Sequence, residues 1–88
     1  MNYYARHVIN IPDLSHGERL YLLLAYDACD EEYQYYQEIV RCVFPRSSIG
    51  RIENSLAKKG HISTVAYINK RKLLRLNYKN IPKILENK

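Results

Sequence analysis

The sequence predicts an α+β domain of three helices followed by a C-terminal β-hairpin. Three observations predict it. A capping-box pattern, Ser15-His16-Gly17-Glu18, stands directly before an apolar run. Pro45 separates two segments of helical period by very few residues. At Gly60 the hydrophobic period changes from helical to alternating.

The elements follow in order. Residues 1–13 form an N-terminal arm or strand: Tyr4 to Ile11 alternate loosely, and Pro12 stops the run. A first helix over 15–29 begins at the capping box. Leu20, Leu23, Leu24 and Ala28, with Tyr21, Leu22 and Tyr26, make it apolar almost all round, the pattern of a central buried helix. Asp30-Glu31-Glu32 suits a helix N-terminus by its charge. A second helix therefore spans 32–43, with Tyr36, Ile39, Val40 and Val43 at helical spacing. Pro45 ends it, because proline has no N–H to donate and biases Phe44 away from helical angles.

A third helix spans 47–59. It sets Ile49, Ile52 and Leu56 on one face and Ser47, Arg51, Asn54 and Lys58 on the other. Gly60 supplies the left-handed residue that ends it. Over 61–78, Ile62, Thr64, Ala66 and Ile68 alternate with Ser63, Val65 and Tyr67, and Leu74, Leu76 and Tyr78 with Leu73, Arg75 and Asn77. These are two strands of a hairpin with a cationic tip at Asn69-Lys70-Arg71. In the tail, 79–88, the stretch Ile81-Pro82-Lys83-Ile84-Leu85 either packs on the core or extends a dimer surface.

Eighty-eight residues, 47% of them hydrophobic, make one domain with one small core rather than a disordered chain. The charge is polarised. From Asp13 to Val40 there are seven acids against one base, Arg19, and from Arg41 to Lys88 twelve bases against two acids. A basic half that carries an amphipathic helix is the electrostatic footprint of a polyanion binder.

The run Ser48-Ile49-Gly50-Arg51-Ile52, followed by Leu56, Lys58-Lys59-Gly60 and Ile62, resembles the recognition helix and wing start of winged helix-turn-helix proteins. In that family a Ser or Thr opens the helix and an Arg often follows three residues later. A core Leu, a Lys-Gly and an apolar strand start come after. The match runs over Pro45 to Ile62 and extends over Leu14 to Tyr78. Glu53 and His61 depart from it. The order Ile11-Pro12, Leu14-Ser15 and Glu18-Arg19-Leu20-Tyr21 also resembles the start of the winged-helix domain of some phage and plasmid replication initiators.

The resemblance implies binding to double-stranded DNA, with the third helix in the major groove and the hairpin as a wing on the backbone or minor groove. The residues expected to touch DNA are Arg46, Ser47, Ser48, Arg51, Asn54, Ser55, Lys58, Lys70, Arg71 and Lys72. Arg51 has the reach and forked donors to read guanine O6 and N7. Ser47 and Ser48 either bind a phosphate at the helix N-terminus or cap it. Lys58 and Lys59 touch phosphate or balance the helix dipole. Lys70, Arg71 and Lys72 suit phosphate contact, or else only blunt the hairpin against aggregation. Gly50 costs a helix interior about 1 kcal/mol against Ala, and a close approach of DNA or of the second helix would explain it.

The function expected is that of a small transcriptional regulator. The alternatives are a replication-initiation accessory, or a protein-binding module using the Tyr-rich acidic stretch Asp27 to Glu38. No cofactor, metal, small-molecule substrate or catalysis is expected. Gly17, Gly50 and Gly60 make no phosphate loop, His7, His16 and His61 lie far apart, and Cys29 and Cys42 lack ligand spacing and read as ordinary buried thiols. No apolar run reaches membrane-spanning length and no signal peptide is evident, so an intracellular, cytoplasmic location is expected, in a host cell if the protein is viral. A homodimer would read a palindromic site.

Overall fold

The capping box at Ser15 opens α1 (His16–Ala28) in a computed structural model that describes residues 7–78. Ser15 Oγ accepts from the Glu18 N–H at 3.1 Å, and Glu18 Oε1 accepts from the Ser15 N–H at 2.8 Å. Two orphan donors are thereby satisfied reciprocally. Tyr21, Leu22, Ala25 and Tyr26 are buried, whereas Leu20 is 41% exposed. Leu23 and Leu24 pack against the core as partly buried residues, so α1 buries most of its circumference and leaves Leu20 and Ala28 outward.

Ahead of α1 the chain departs from the expected strand. Residues 7–9 are helical, and Val8 and Ile11 enter the core. The reason is Arg19, the single base of the acidic half. Its Nη1 donates to the carbonyls of Val8, Ile9 and Ile11 at 3.0, 2.8 and 2.9 Å, and Nη2 to that of Leu14 at 3.3 Å. One guanidinium thereby gathers four carbonyls of the turn that leads into α1. The part of the expected arm before residue 7 lies outside the described residues, as does the tail 79–88.

The expected second helix over 32–43 is replaced by a short strand, β1 (Gln34–Tyr36), and one helical turn, α2 (Glu38–Arg41). Asp30 is the cause. Its Oδ1 accepts from the N–H groups of Glu32 and Gln34 at 2.8 and 2.9 Å, which closes a turn instead of starting a helix. Tyr33 then takes a positive φ of 64°, which no helix accommodates. Beyond it Tyr35 is buried and its neighbours half-buried, the alternation of a strand.

α3 (Arg46–Lys58) begins one residue earlier than expected, with Pro45 at its N-cap. Ile49, Ile52 and Leu56 are buried as the periodicity requires, and Glu53 is buried with them. At the far end the Gly60 N–H bonds the Ala57 carbonyl at 3.0 Å and the His61 N–H bonds that of Leu56 at 2.9 Å. With Gly60 at φ 83° this is a Schellman ending.

β2 (Ile62–Ile68) and β3 (Arg71–Leu76) form the hairpin, and β1 adds to β3, giving an antiparallel sheet in the order β1-β3-β2. Asn69 and Lys70 both have positive φ, 52° and 66°, so the connection is a tight two-residue turn of the primed kind. Arg71 is therefore a strand residue and not part of the tip. The uniform alternation expected along β2 fails at Val65. Thr64 pairs with Leu74 but Ala66 pairs with Leu73. This bulge moves Ala66 and Ile68 to the sheet face away from the core and leaves Val65, Tyr67 and Ile68 exposed. Leu74 and Leu76 close the core over Tyr21, Leu22 and Leu56.

Candidate nucleic-acid interface

The side of α3 turned from the core carries Arg46, Ser47, Gly50, Arg51, Asn54 and Lys58, all exposed. Their positions recur at three and four residues, so they form one stripe along the helix. Arg51 makes no ion pair among the described residues. The acids Glu53 and Glu38 are instead held by Lys72 and Arg71, at 2.9 and 2.6 Å.

At the start of the stripe no side chain caps the helix. The N–H groups of Ser48 and Ile49 turn back to the Pro45 carbonyl at 2.9 and 3.3 Å. Ser47 and Ser48 lie within the first turn, so neither takes the capping role. A Cβ at Gly50 would meet nothing within 4 Å. Among the described residues the second helix does not approach it, and no packing explains this glycine.

Two expected contact residues, Ser48 and Ser55, lie off the stripe. Ser55 is half-buried, and its hydroxyl bonds the Glu18 carboxylate. Lys59 also turns to Glu18, at 2.9 Å, and to the Asp13 carbonyl. Burial alone would raise the Glu18 carboxyl pKa. Bonds from Ser55, from the Ser15 N–H and from Lys59 overcome this and bring it down to about 2. Glu18 thus fastens the start of α1 to the end of α3.

The hairpin presents fewer open cations than expected. Lys70 stands exposed at the turn with no partner among the described residues. Arg71 pairs with Glu38 and lies 3.8 Å over the Tyr36 ring. Lys72 faces inward, and its Nζ reaches Glu53 Oε1 at 2.9 Å. Strand alternation separates the two, because residues 71 and 72 must point to opposite faces. Arg75, not among the expected residues, is exposed and shares a concavity with Glu31 and Glu32.

Between α3 and the hairpin lies a polar junction the sequence reading missed. The buried Glu53 carboxylate accepts from Tyr21 Oη at 2.7 Å and from Gln37 Nε2 at 2.9 and 3.0 Å, besides Lys72. Tyr21 Oη also lies 2.8 Å from Tyr35 Oη. Burial pushes the Tyr21 hydroxyl pKa far above its usual range, and the adjacent Tyr35 and Glu53 push it the same way. Tyr21 therefore stays a proton donor to the carboxylate. The available signal was position: Glu53 follows Ile49 by four residues and precedes Leu56 by three, which is the apolar face.

No family model, curated protein or solved structure matches the chain.

Several of the described tyrosines take part in the fold. Tyr21, Tyr26 and Tyr35 are buried, Tyr33 stacks on Tyr78 at 4.3 Å between ring centroids, and Tyr36 is covered by Arg71. Within the Asp27 to Glu38 stretch Tyr35 is buried, and Tyr33 and Tyr36 are half-buried. Cys29 and Cys42 are free thiols, the first half-buried and the second exposed, so Cys42 is not the buried thiol expected. Among the described residues no three His, Cys, Asp or Glu side chains gather as metal ligands, and no helix is long and apolar enough to cross a membrane.

Proposed function

We propose that this domain is a winged helix that binds double-stranded DNA, in the manner of a small transcriptional regulator. The observation that carries the reading is the α3 stripe. Arg46, Ser47, Arg51, Asn54 and Lys58 are exposed and spent on no ion pair or side-chain bond among the described residues, beside a glycine with open space before it. By contrast Lys59, Arg71 and Lys72 each hold an acid. Cations kept free on one helical face are available to a polyanion.

In this reading α3 enters the major groove. Arg51 donates two guanidinium N–H groups to O6 and N7 of a guanine, and Asn54 meets an adenine edge or a sugar. Arg46 and Ser47, beside uncapped N–H groups at the helix start, take a phosphate. Lys58 and Lys70 hold the backbone on either side. Gly50 lets the helix backbone come close to the groove wall.

The test is selection of duplexes from a randomised pool, followed by competition between the selected site and bulk DNA. Wild type should prefer its site. Arg51→Ala should lose about 1–3 kcal/mol on that site and discriminate less at one position. Recovery of no preferred duplex, or an Arg51→Ala profile identical to wild type, overturns the reading.

A further inference from the structure

We propose that Glu53 is a positioning residue for DNA binding: through Lys72 and Gln37 its buried carboxylate locks the hairpin to α3, so that Lys70 and Arg51 reach one duplex together. The proposal rests on the DNA reading and names the part of the protein that sets the two contacts apart.

The hairpin needs such a lock. Its base is held by Ile62, Leu74 and Leu76, all buried. Beyond the Val65 bulge the large apolar residues of β2 are open to solvent: Val65, Tyr67 and Ile68 are 41%, 69% and 43% exposed. Lys72, paired across the strands with Tyr67, is the inward-facing residue of that outer half. Its ammonium lies 2.9 Å from Glu53 in the middle of α3, and this carboxylate is 4% exposed.

Gln37 closes the junction from the other side. Its backbone N–H donates to the Lys72 carbonyl at 3.0 Å while its side chain donates to both Glu53 oxygens. Three elements therefore meet at one carboxylate, and each bond is charge-assisted and shielded from water. On the opposite sheet face Arg71 holds Glu38, but both side chains are 47% exposed, so solvent screens that pair.

Rigidity here acts on binding. A hairpin held in its bound position loses less freedom when the duplex arrives. The reading helix and the turn also keep a fixed separation, which a groove and its flanking phosphates demand.

The experiment uses Glu53→Gln and Lys72→Met in the full chain. Glu53→Gln keeps an oxygen to accept from Tyr21 but loses the ion pair. Lys72→Met keeps the carboxylate bonded to Tyr21 and Gln37, and provides the test if the first variant fails to fold. Backbone ¹⁵N relaxation of the free protein is measured for residues 67–72 against the hairpin base, 62–64 and 74–76. Wild type should show order parameters of about 0.85 throughout, and the variants below about 0.6 in the outer half only. Affinity for duplex DNA should fall about three- to tenfold with the variants.

Outer-half amides that stay as ordered as the base overturn the lock, whatever DNA does. Disorder with unchanged affinity overturns the positioning role. A wild type that binds no duplex overturns the DNA reading, and the relaxation data still decide whether Glu53 holds the hairpin.

Discussion

Replacing Gly50 by alanine should make the protein more stable and a poorer DNA binder. Gly50 is the fifth of thirteen residues of α3, so it bears the full interior cost of glycine. Ala is better there by about 0.8–1 kcal/mol, through the restricted unfolded chain and a better-shielded helix. No term opposes this, because a Cβ at the position meets nothing within 4 Å. For 88 residues, at about 2.1 cal/mol/K each, the unfolding entropy is about 0.18 kcal/mol/K, so Tm should rise by about 5 °C. The same methyl lies on the α3 stripe with Ser47 and Asn54, where the duplex must come close. Overpacking that contact should cost about 1–3 kcal/mol of binding. The assays are thermal melts by circular dichroism and fluorescence anisotropy on one duplex in one buffer. A Tm that stays or falls would refute the open helical geometry at Gly50. A raised Tm with unchanged affinity would refute close approach of DNA there.

Further outcomes follow from the same geometry. Glu18 has a folded pKa of about 2 against an ordinary 4.5, so it contributes stability above pH 4.5 that is lost as pH falls towards 2. The contribution is at most about 3 kcal/mol, and urea unfolding between pH 7 and pH 2.5 should show a steep acid limb that Glu18→Gln flattens. Lys70→Gly should relieve the left-handed backbone at φ 66° and gain about 1 kcal/mol in urea unfolding, while the salt slope of DNA binding shrinks by about 1. Leu56→Ala removes a fully buried side chain and should cost about 2–5 kcal/mol by the same unfolding assay.

The legible parts of the fold were those set by local chemistry. Ser15 with Glu18, Pro45, and Gly60 each act within one turn of chain, and each stands where the sequence put it. The strand β1 was hidden because Asp30-Glu31-Glu32 carries the charge of a helix start, while the decisive event is one Asp30 oxygen gathering two N–H groups. The Val65 bulge leaves no mark in composition. Within the candidate site, the α3 stripe followed from periodicity alone. The fates of Lys59, Arg71, Lys72 and Ser55 did not, since each depends on an acid at least fifteen residues away. In a small core a tyrosine ring can be buried if its hydroxyl finds a partner, as that of Tyr21 does in Glu53.

The most direct test of the account is duplex binding by fluorescence anisotropy across a salt series, with Arg51→Ala beside wild type. If α3 and the turn hold DNA through Arg46, Lys58 and Lys70, log K should fall linearly with log salt at a slope of about −3, and Arg51→Ala should weaken binding at every salt concentration. Absence of binding at low salt, or binding indifferent to both salt and Arg51, would contradict it.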